Sequence, residues 1–372
     1  MAQQNDELVA IQAEHSRYIQ RLAAGLGNDS DPYIDSMSDR ITARINREVG
    51  KNLTPLRREN LLKDINAIVN EELKGYTDDL AKGDLDIGVY EAGFQAKAIA
   101  DVFPTVEATA TVSRSVIKTA ANNTLIKLGE GSYTSYNQML KQYTTTNAEQ
   151  ITNIVAQGFV GGKSTREIAN QVLSEVDSRI VKTRKQAKGL ARTGTTHYAN
   201  QARRAYFEEE SVVIGTQNIS VMDSVTSQFC RGIDLRITLK TDPNYSKAFA
   251  PFHNFCRGSN SPVVDARYRS DDESGERPEN FRNANDGLLE PGTTSSKKIY
   301  YDAFKNLDAK SQDLVLGPTL GKAFRKGIKE GSLTPESFAK LTIDEKNLKP
   351  LTLREMEAKD NELSRLIKSV KR

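Results

Sequence analysis

Three of the chain's five cysteine and histidine side chains fall close together in sequence: Cys230, His253 and Cys256, out of 372 residues. Two soft thiolates and an imidazole suit Zn²⁺, with Asp223, Asp234 or a water as the fourth ligand. His253-Asn254-Phe255-Cys256 is spaced so that both side chains can reach one point from a turn. A structural zinc site usually shows paired Cys-x-x-Cys, and here the first pair is incomplete. Two other arrangements stay open: reduced thiols in a core, and a disulfide. A Cys–His nucleophile pair can also be written, but it lacks an oriented third partner. With His15 and His197 as the only other imidazoles, a His-rich metal enzyme is excluded. Two cysteines are too few for a secreted disulfide scaffold, which favours a reducing, intracellular setting.

The second chemical feature is charge. Net charge is 52 − 49 = +3, too balanced to mark the whole chain as a nucleic-acid binder. Yet Ser178–Phe207 contains no acid and carries Arg179, Lys182, Arg184, Lys185, Lys188, Arg192, Arg203 and Arg204. A helix presenting these could neutralise phosphates, with Tyr198 and Tyr206 as stacking partners. Its alternative is a solvated face paired with acids such as Glu208-Glu209-Glu210. The run Gly158–Ser164 is not a phosphate loop, because three residues rather than four separate Gly158 from Gly162 and it lies between two helices.

The elements that must position these groups are mostly helical. Leu8, Ile11, Tyr18, Ile19 and Leu22 form one stripe with Gly25 as a stop; Met37, Ile41, Ile45 and Val49 form another, ended by Gly50. Thr54-Pro55 predicts a helix start, with Leu61 to Leu73 running to Gly75. Ala108–Leu128 reads as a weaker helix. Capping boxes at Thr146–Glu149 and Ser164–Glu167 predict a helical hairpin, either a packing unit or a DNA-reading helix-turn-helix. After residue 208, Val212–Ile214, Ile219–Val221 and Ile233–Leu239 are β-branched runs. Pairing of Ile233–Leu239 with Pro262–Val264 would draw Cys230, His253 and Cys256 together. Residues 265–292, with Asp271-Asp272-Glu273, read as a polar linker. Thr334-Pro335 and the Thr352–Glu355 capping box start helices, the second carrying Leu363, Leu366, Ile367 and Val370. No apolar run is long enough to span a membrane, and the acidic N-terminus lacks a secretory h-region.

The fold class expected is therefore α+β: a predominantly helical N-terminal half, a small mixed α+β domain and a helical C-terminal extension. The boundaries are 1–145, 146–264, a linker at 265–292, and 293–372.

Gly158–Ile168, Ala191–Thr196 and Asn200–Arg203, followed by Met222–Asp234, resemble tailed-phage head morphogenesis proteins of the Mu F-like type. Pro251-Phe252-His253-Asn254-Phe255-Cys256-Arg257 is similar to that family's Pro-x-His-x-x-Cys-Arg signature. Tyr300–Phe304, Gln312-Asp313, Leu316–Thr319 and Lys349–Thr352 resemble a C-terminal extension of one subgroup. The likeness covers roughly 150–357, and residues 1–150 match nothing. Three positions depart from the pattern: Val225 for Arg, Leu235 for the Gly of an Asp-Gly turn, and Gly258 after Cys-Arg.

The resemblance implies a minor structural protein of the phage head, not an enzyme. It would bind portal or major capsid protein in several copies, contact packaged double-stranded DNA, and be assembled in the host cytoplasm. No cofactor is required by this reading, with Zn²⁺ left open. The alternative is a metal-assisted hydrolase or nuclease using the Cys/His cluster.

Overall fold

The computed structural model describes residues 6–129, 131–158, 165–268, 275–283, 285–345, 347 and 349–371. Six helices come first: α1 (Asp6–Asn28), α2 (Asp31–Asn46), α3 (Pro55–Val102), α4 (Arg114–Asn123), α5 (Tyr136–Gly158) and α6 (Thr165–Glu209). A small hairpin, β1 (Ile126–Gly129) and β2 (Ser132–Thr134), lies between α4 and α5. Next come β3 (Val213–Ile219), β4 (Met222–Asp223), α7 (Gln228–Ile233), β5 (Ile237–Leu239), β6 (Ser259–Val264), β7 (Glu276–Arg282) and β8 (Leu289–Ser295). The chain ends with α8 (Tyr300–Phe304), α9 (Ala309–Leu316), α10 (Pro318–Glu330), α11 (Pro335–Leu341), α12 (Leu353–Lys359) and α13 (Asn361–Val370). This is an α+β fold with a helical N-terminal half, as the patterning predicts.

Thr54 caps α3 as expected, its side chain accepting from the Arg57 N–H. The helix does not stop at Gly75. It continues through it because the missing side chain is a packing requirement: a Cβ there would lie 2.8 Å from the Tyr33 ring of α2. Likewise α1 runs past Gly25 to Asn28. The Thr146–Glu149 box opens no helix, since Thr146 lies inside α5. Asn147 there is buried and its side-chain Oδ1 accepts from Arg179 at 2.7 Å and Thr183 at 2.8 Å, so tertiary contact overrides the local signal. Ser164 and the glycine-bearing connection 159–164 lie outside the described residues. Of the stretch 108–128, only Arg114–Asn123 is helical.

Apolar residues of α2, α3, α5 and α6 form one continuous core, from Ile34 and Ile65 to Val155, Val172 and Ala202. The expected boundary at 145/146 therefore cuts through α5 and through that core. The α5–α6 hairpin is a packing unit. A second core joins Leu8, Ile99, Phe103 and Phe207 to Val213, Phe249 and Val264, tying the helices to the sheet. The C-terminal helices enclose their own aromatic cluster, in which Tyr301, Phe324 and Phe338 pack with ring centroids 4.7–6.1 Å apart.

β3 is the centre of a three-stranded antiparallel sheet, order β5-β3-β6. Thr216 faces Thr238 on one side and Pro262 on the other. The expected pairing of 233–239 with 262–264 thus does not form; both segments flank β3 instead, and residues 228–233 are helical because Ser227 caps α7. Residues 276–282 and 289–295 are not linker but a regular antiparallel hairpin, with β7 also parallel to β4. The acidic centre of that stretch, 271–273, lies outside the described residues. The C-terminal helix is broken in two at Asp360, whose carboxylate accepts from Leu363 N–H at 2.7 Å and so starts α13. Among the described residues, no helix is long and apolar enough to cross a membrane.

Candidate functional site

Cys230, His253 and Cys256 converge. Their donor atoms all lie within 4.8 Å of one another, with both thiols free and buried. Cys230 sits on the first turn of α7, where Ser227 accepts its backbone N–H at 3.2 Å. The 253–256 turn brings in the other two, with Phe255 held at a φ of +59°. His253 Nε2 is 3.3 Å from the Cys230 sulfur and 2.8 Å from Ser227 Oγ, while Nδ1 meets the Asn254 carbonyl at 2.8 Å. The sulfurs are 3.9 Å apart, so no disulfide is formed.

The Cys230 S–H stabilises a Cys256 thiolate, holding Cys256 well below the usual thiol range; the nearby His253 adds to this. Cys230 is pushed well up by the same partner and by burial. Burial opposes a charge on His253, but its contact with Cys256 more than offsets that and raises its pKa. Arg257 lies beside the pair and forms a two-pronged ion pair with Asp223, at 2.6 and 2.9 Å.

A polar ladder from α6 fixes this turn. Thr193 Oγ1 donates to Asn254 Oδ1 and accepts from Phe255 N–H, Thr196 Oγ1 donates to the Cys256 carbonyl at 3.1 Å, and Asn200 Nδ2 donates to the Gly258 carbonyl at 3.3 Å. Arg203 donates to Ser259 Oγ. Beneath the ladder, Arg203 Nε meets Glu91 of α3 at 2.7 Å, and Glu91 also holds His15 at 2.9 Å, all three buried. Gly194, within the same stretch of α6, is required because a Cβ there would lie 2.4 Å from Asp84 Oδ2.

Neither expected fourth ligand is free. Asp223 is committed to Arg257, and Asp234 is fully buried against Arg277, with further bonds from Ser220 N–H and Tyr300 N–H. Leu235 nevertheless keeps the turn in which the resembling family has glycine, at φ +59°. That left-handed conformation costs about 1 kcal/mol for a side-chain-bearing residue. Val225 is exposed and disturbs nothing nearby.

The basic segment is mostly consumed internally. Arg203, Tyr198 and Tyr206 are buried, so they neither meet phosphate nor stack on bases. Arg184 pairs with Asp31 and Asp35 of α2, Arg204 with Glu208, and Arg179 with Asn147. Arg192 is half-buried, and burial together with Arg257 lowers its pKa. Lys182, Lys185 and Lys188 remain, exposed at three-residue spacing on one face of α6.

The sequence offered no sign of Glu91 or Arg277 as site residues, and Thr193, Thr196 and Asn200 stood there only as parts of the resembling segments, with no role attached. For Glu91 the nearest thing to a signal is that Asp84, Glu91 and Gln95 interrupt an otherwise apolar helical stripe. Comparison of the chain with protein-family models, curated proteins and solved structures finds no match.

Proposed function

We propose that the chain is a minor structural protein of a tailed-phage head, binding portal or inner capsid during assembly. The observation that carries this is the convergence of three of the resembling segments. Residues 191–203, 222–234 and 251–259 are scattered in sequence, yet they meet in one hydrogen-bonded node around Cys230, His253 and Cys256. Chance likenesses strewn along a chain have no reason to meet in this way. The module supports a structural role further because its carboxylates are locked in ion pairs. A hydrolase or nuclease would need one of them free as a base, and Asp223 and Asp234 are both engaged. Contact with packaged DNA would fall to Lys182, Lys185 and Lys188.

Mass spectrometry of purified, DNA-filled phage particles tests the proposal. The chain should be present in several copies per particle and absent from tails purified separately. Particles that lack it, or metal-dependent cleavage of DNA by the purified chain, would overturn the proposal.

A further inference from the structure

We propose that Cys230, His253 and Cys256 form a binding site for a soft divalent cation, Zn²⁺, that clasps α7 to the turn preceding β6. A tetrahedral zinc with sulfur at about 2.3 Å and nitrogen at about 2.0 Å requires sulfur–sulfur edges of about 3.8 Å and sulfur–nitrogen edges of about 3.5 Å. Here the sulfurs are 3.9 Å apart, and His253 Nε2 is 3.3 Å from the Cys230 sulfur. The third edge lies within the 4.8 Å that bounds the whole cluster. Three donors thus already stand near three corners of one tetrahedron.

The surroundings fit as well. With Nδ1–H of His253 donating to the Asn254 carbonyl at 2.8 Å, the Nε2 lone pair is left for Ser227 Oγ at 2.8 Å and the Cys230 sulfur at 3.3 Å, and a cation would displace the Ser227 hydroxyl from it. A backbone or carboxylate acceptor behind the ring is the usual companion of a metal-ligating histidine. Cys230 and His253 line a pocket together with Val225, Thr226, Ser227 and Arg257. The fourth ligand would be a water within reach of Ser227, since Asp223 and Asp234 are both held in ion pairs. Two thiolates balance the cation, and the adjacent Arg257–Asp223 pair is itself neutral, so the site buries no net charge.

The site lies where a cross-link does most. Residues 230 and 256 bracket the excursion that carries β5 and the 244–252 loop, and neither end is otherwise tied covalently. This inference is independent of the phage-head proposal, because it depends only on the cluster's geometry.

The test uses the full-length chain, purified under reducing conditions, stripped with chelator and re-exposed to Zn²⁺. Elemental analysis after desalting should find one Zn²⁺ per chain. Co²⁺ in its place should give the intense visible bands of a tetrahedral site together with thiolate-to-metal charge transfer. Zinc should also protect Cys230 and Cys256 from alkylation and raise the thermal midpoint with concentration, as any ligand of the folded state does. Cys256→Ser and His253→Ala should each lose the stoichiometric metal, whereas Asp223→Asn should keep it. If a variant fails to fold, uptake and alkylation protection in the unaltered chain decide. No zinc retained and no change in alkylation would overturn the proposal. So would a Cys230–Cys256 disulfide forming readily in a chain that takes up no metal when reduced.

Discussion

Helix α3 buries one continuous stripe, yet its two halves do opposite work. Leu61, Ile65, Val69, Leu73, Tyr76 and Leu80 give an apolar half that packs against α2, α5 and α6. From Asp84 onward polar groups enter the same face among Ile87, Ala98 and Ile99, with Asp84, Glu91 and Gln95 as buried as the leucines before them. The apolar half is held by non-directional burial, which tolerates small changes of shape. The polar half is held by directional bonds whose partners stay buried when one is removed. It is the polar half that reaches the Cys/His turn, through Glu91, Arg203 and Ser259.

The largest effect should come from breaking the polar half. Glu91→Ala strands both Arg203 and His15 in the interior and should destabilise the fold by about 3–5 kcal/mol, read from urea unfolding. A loss below about 1 kcal/mol would mean that the buried pair contributes little beyond packing.

Next comes pH. Burial raises the Asp84 carboxyl to about 7, despite hydrogen bonds from Tyr136 and Thr195 that pull it down. Its folded pKa is thus above its unfolded value, so its stabilisation is complete below about pH 4 and lost as pH rises through about 7. His197 opposes it: burial lowers its pKa to about 4, so stability from this group grows as pH rises from about 4 to 6.5. The two contributions offset each other over that window. Asp84→Asn should remove one and leave a profile that rises with pH, by about 1.4 kcal/mol per unit at most. Urea midpoints at a series of pH values check this, and an unchanged profile would assign the pH dependence elsewhere.

The apolar half should be more forgiving. Ile65→Val removes one buried methylene and should cost about 0.5–1.5 kcal/mol. A larger loss would show that the core there is packed as tightly as the polar half. The smallest effect belongs to the exposed face of α6. Lys182, Lys185 and Lys188 replaced together by Gln should change stability by less than about 0.5 kcal/mol. If these lysines touch DNA, the same variant flattens the salt dependence of its binding; a slope identical to that of the parent would remove them from that role.

Legibility followed the same division. The apolar stripes of α2 and α3 and the caps at Thr54, Thr334 and Thr352 were readable because each depends on residues within a few positions. The convergence of Cys230, His253 and Cys256 was expected, but on a pairing of Ile233–Leu239 with Pro262–Val264 that does not form; both segments flank β3, and the 253–256 turn brings the last two ligands together. Helix lengths were not readable, because Gly75 is demanded by Tyr33 of another helix and Thr146 is overridden by the contacts of Asn147. The β7–β8 hairpin was missed because Glu276–Arg282 is polar in composition, although Arg277 within it is completely buried. The basic run misled for the same reason. Charge is visible in a sequence, but its partners on α2 and α3 lie more than a hundred residues away.

The central claim is that the polar half of α3, the α6 ladder and the Cys/His turn are one cooperative unit. Native-state hydrogen exchange on the full chain tests it most directly, comparing the parent with Arg203→Met. The account predicts that amides near Glu91 in α3 and Ser259–Val264 in β6 lose protection together and by equal free energies. Loss confined to β6, with α3 unchanged, would contradict it.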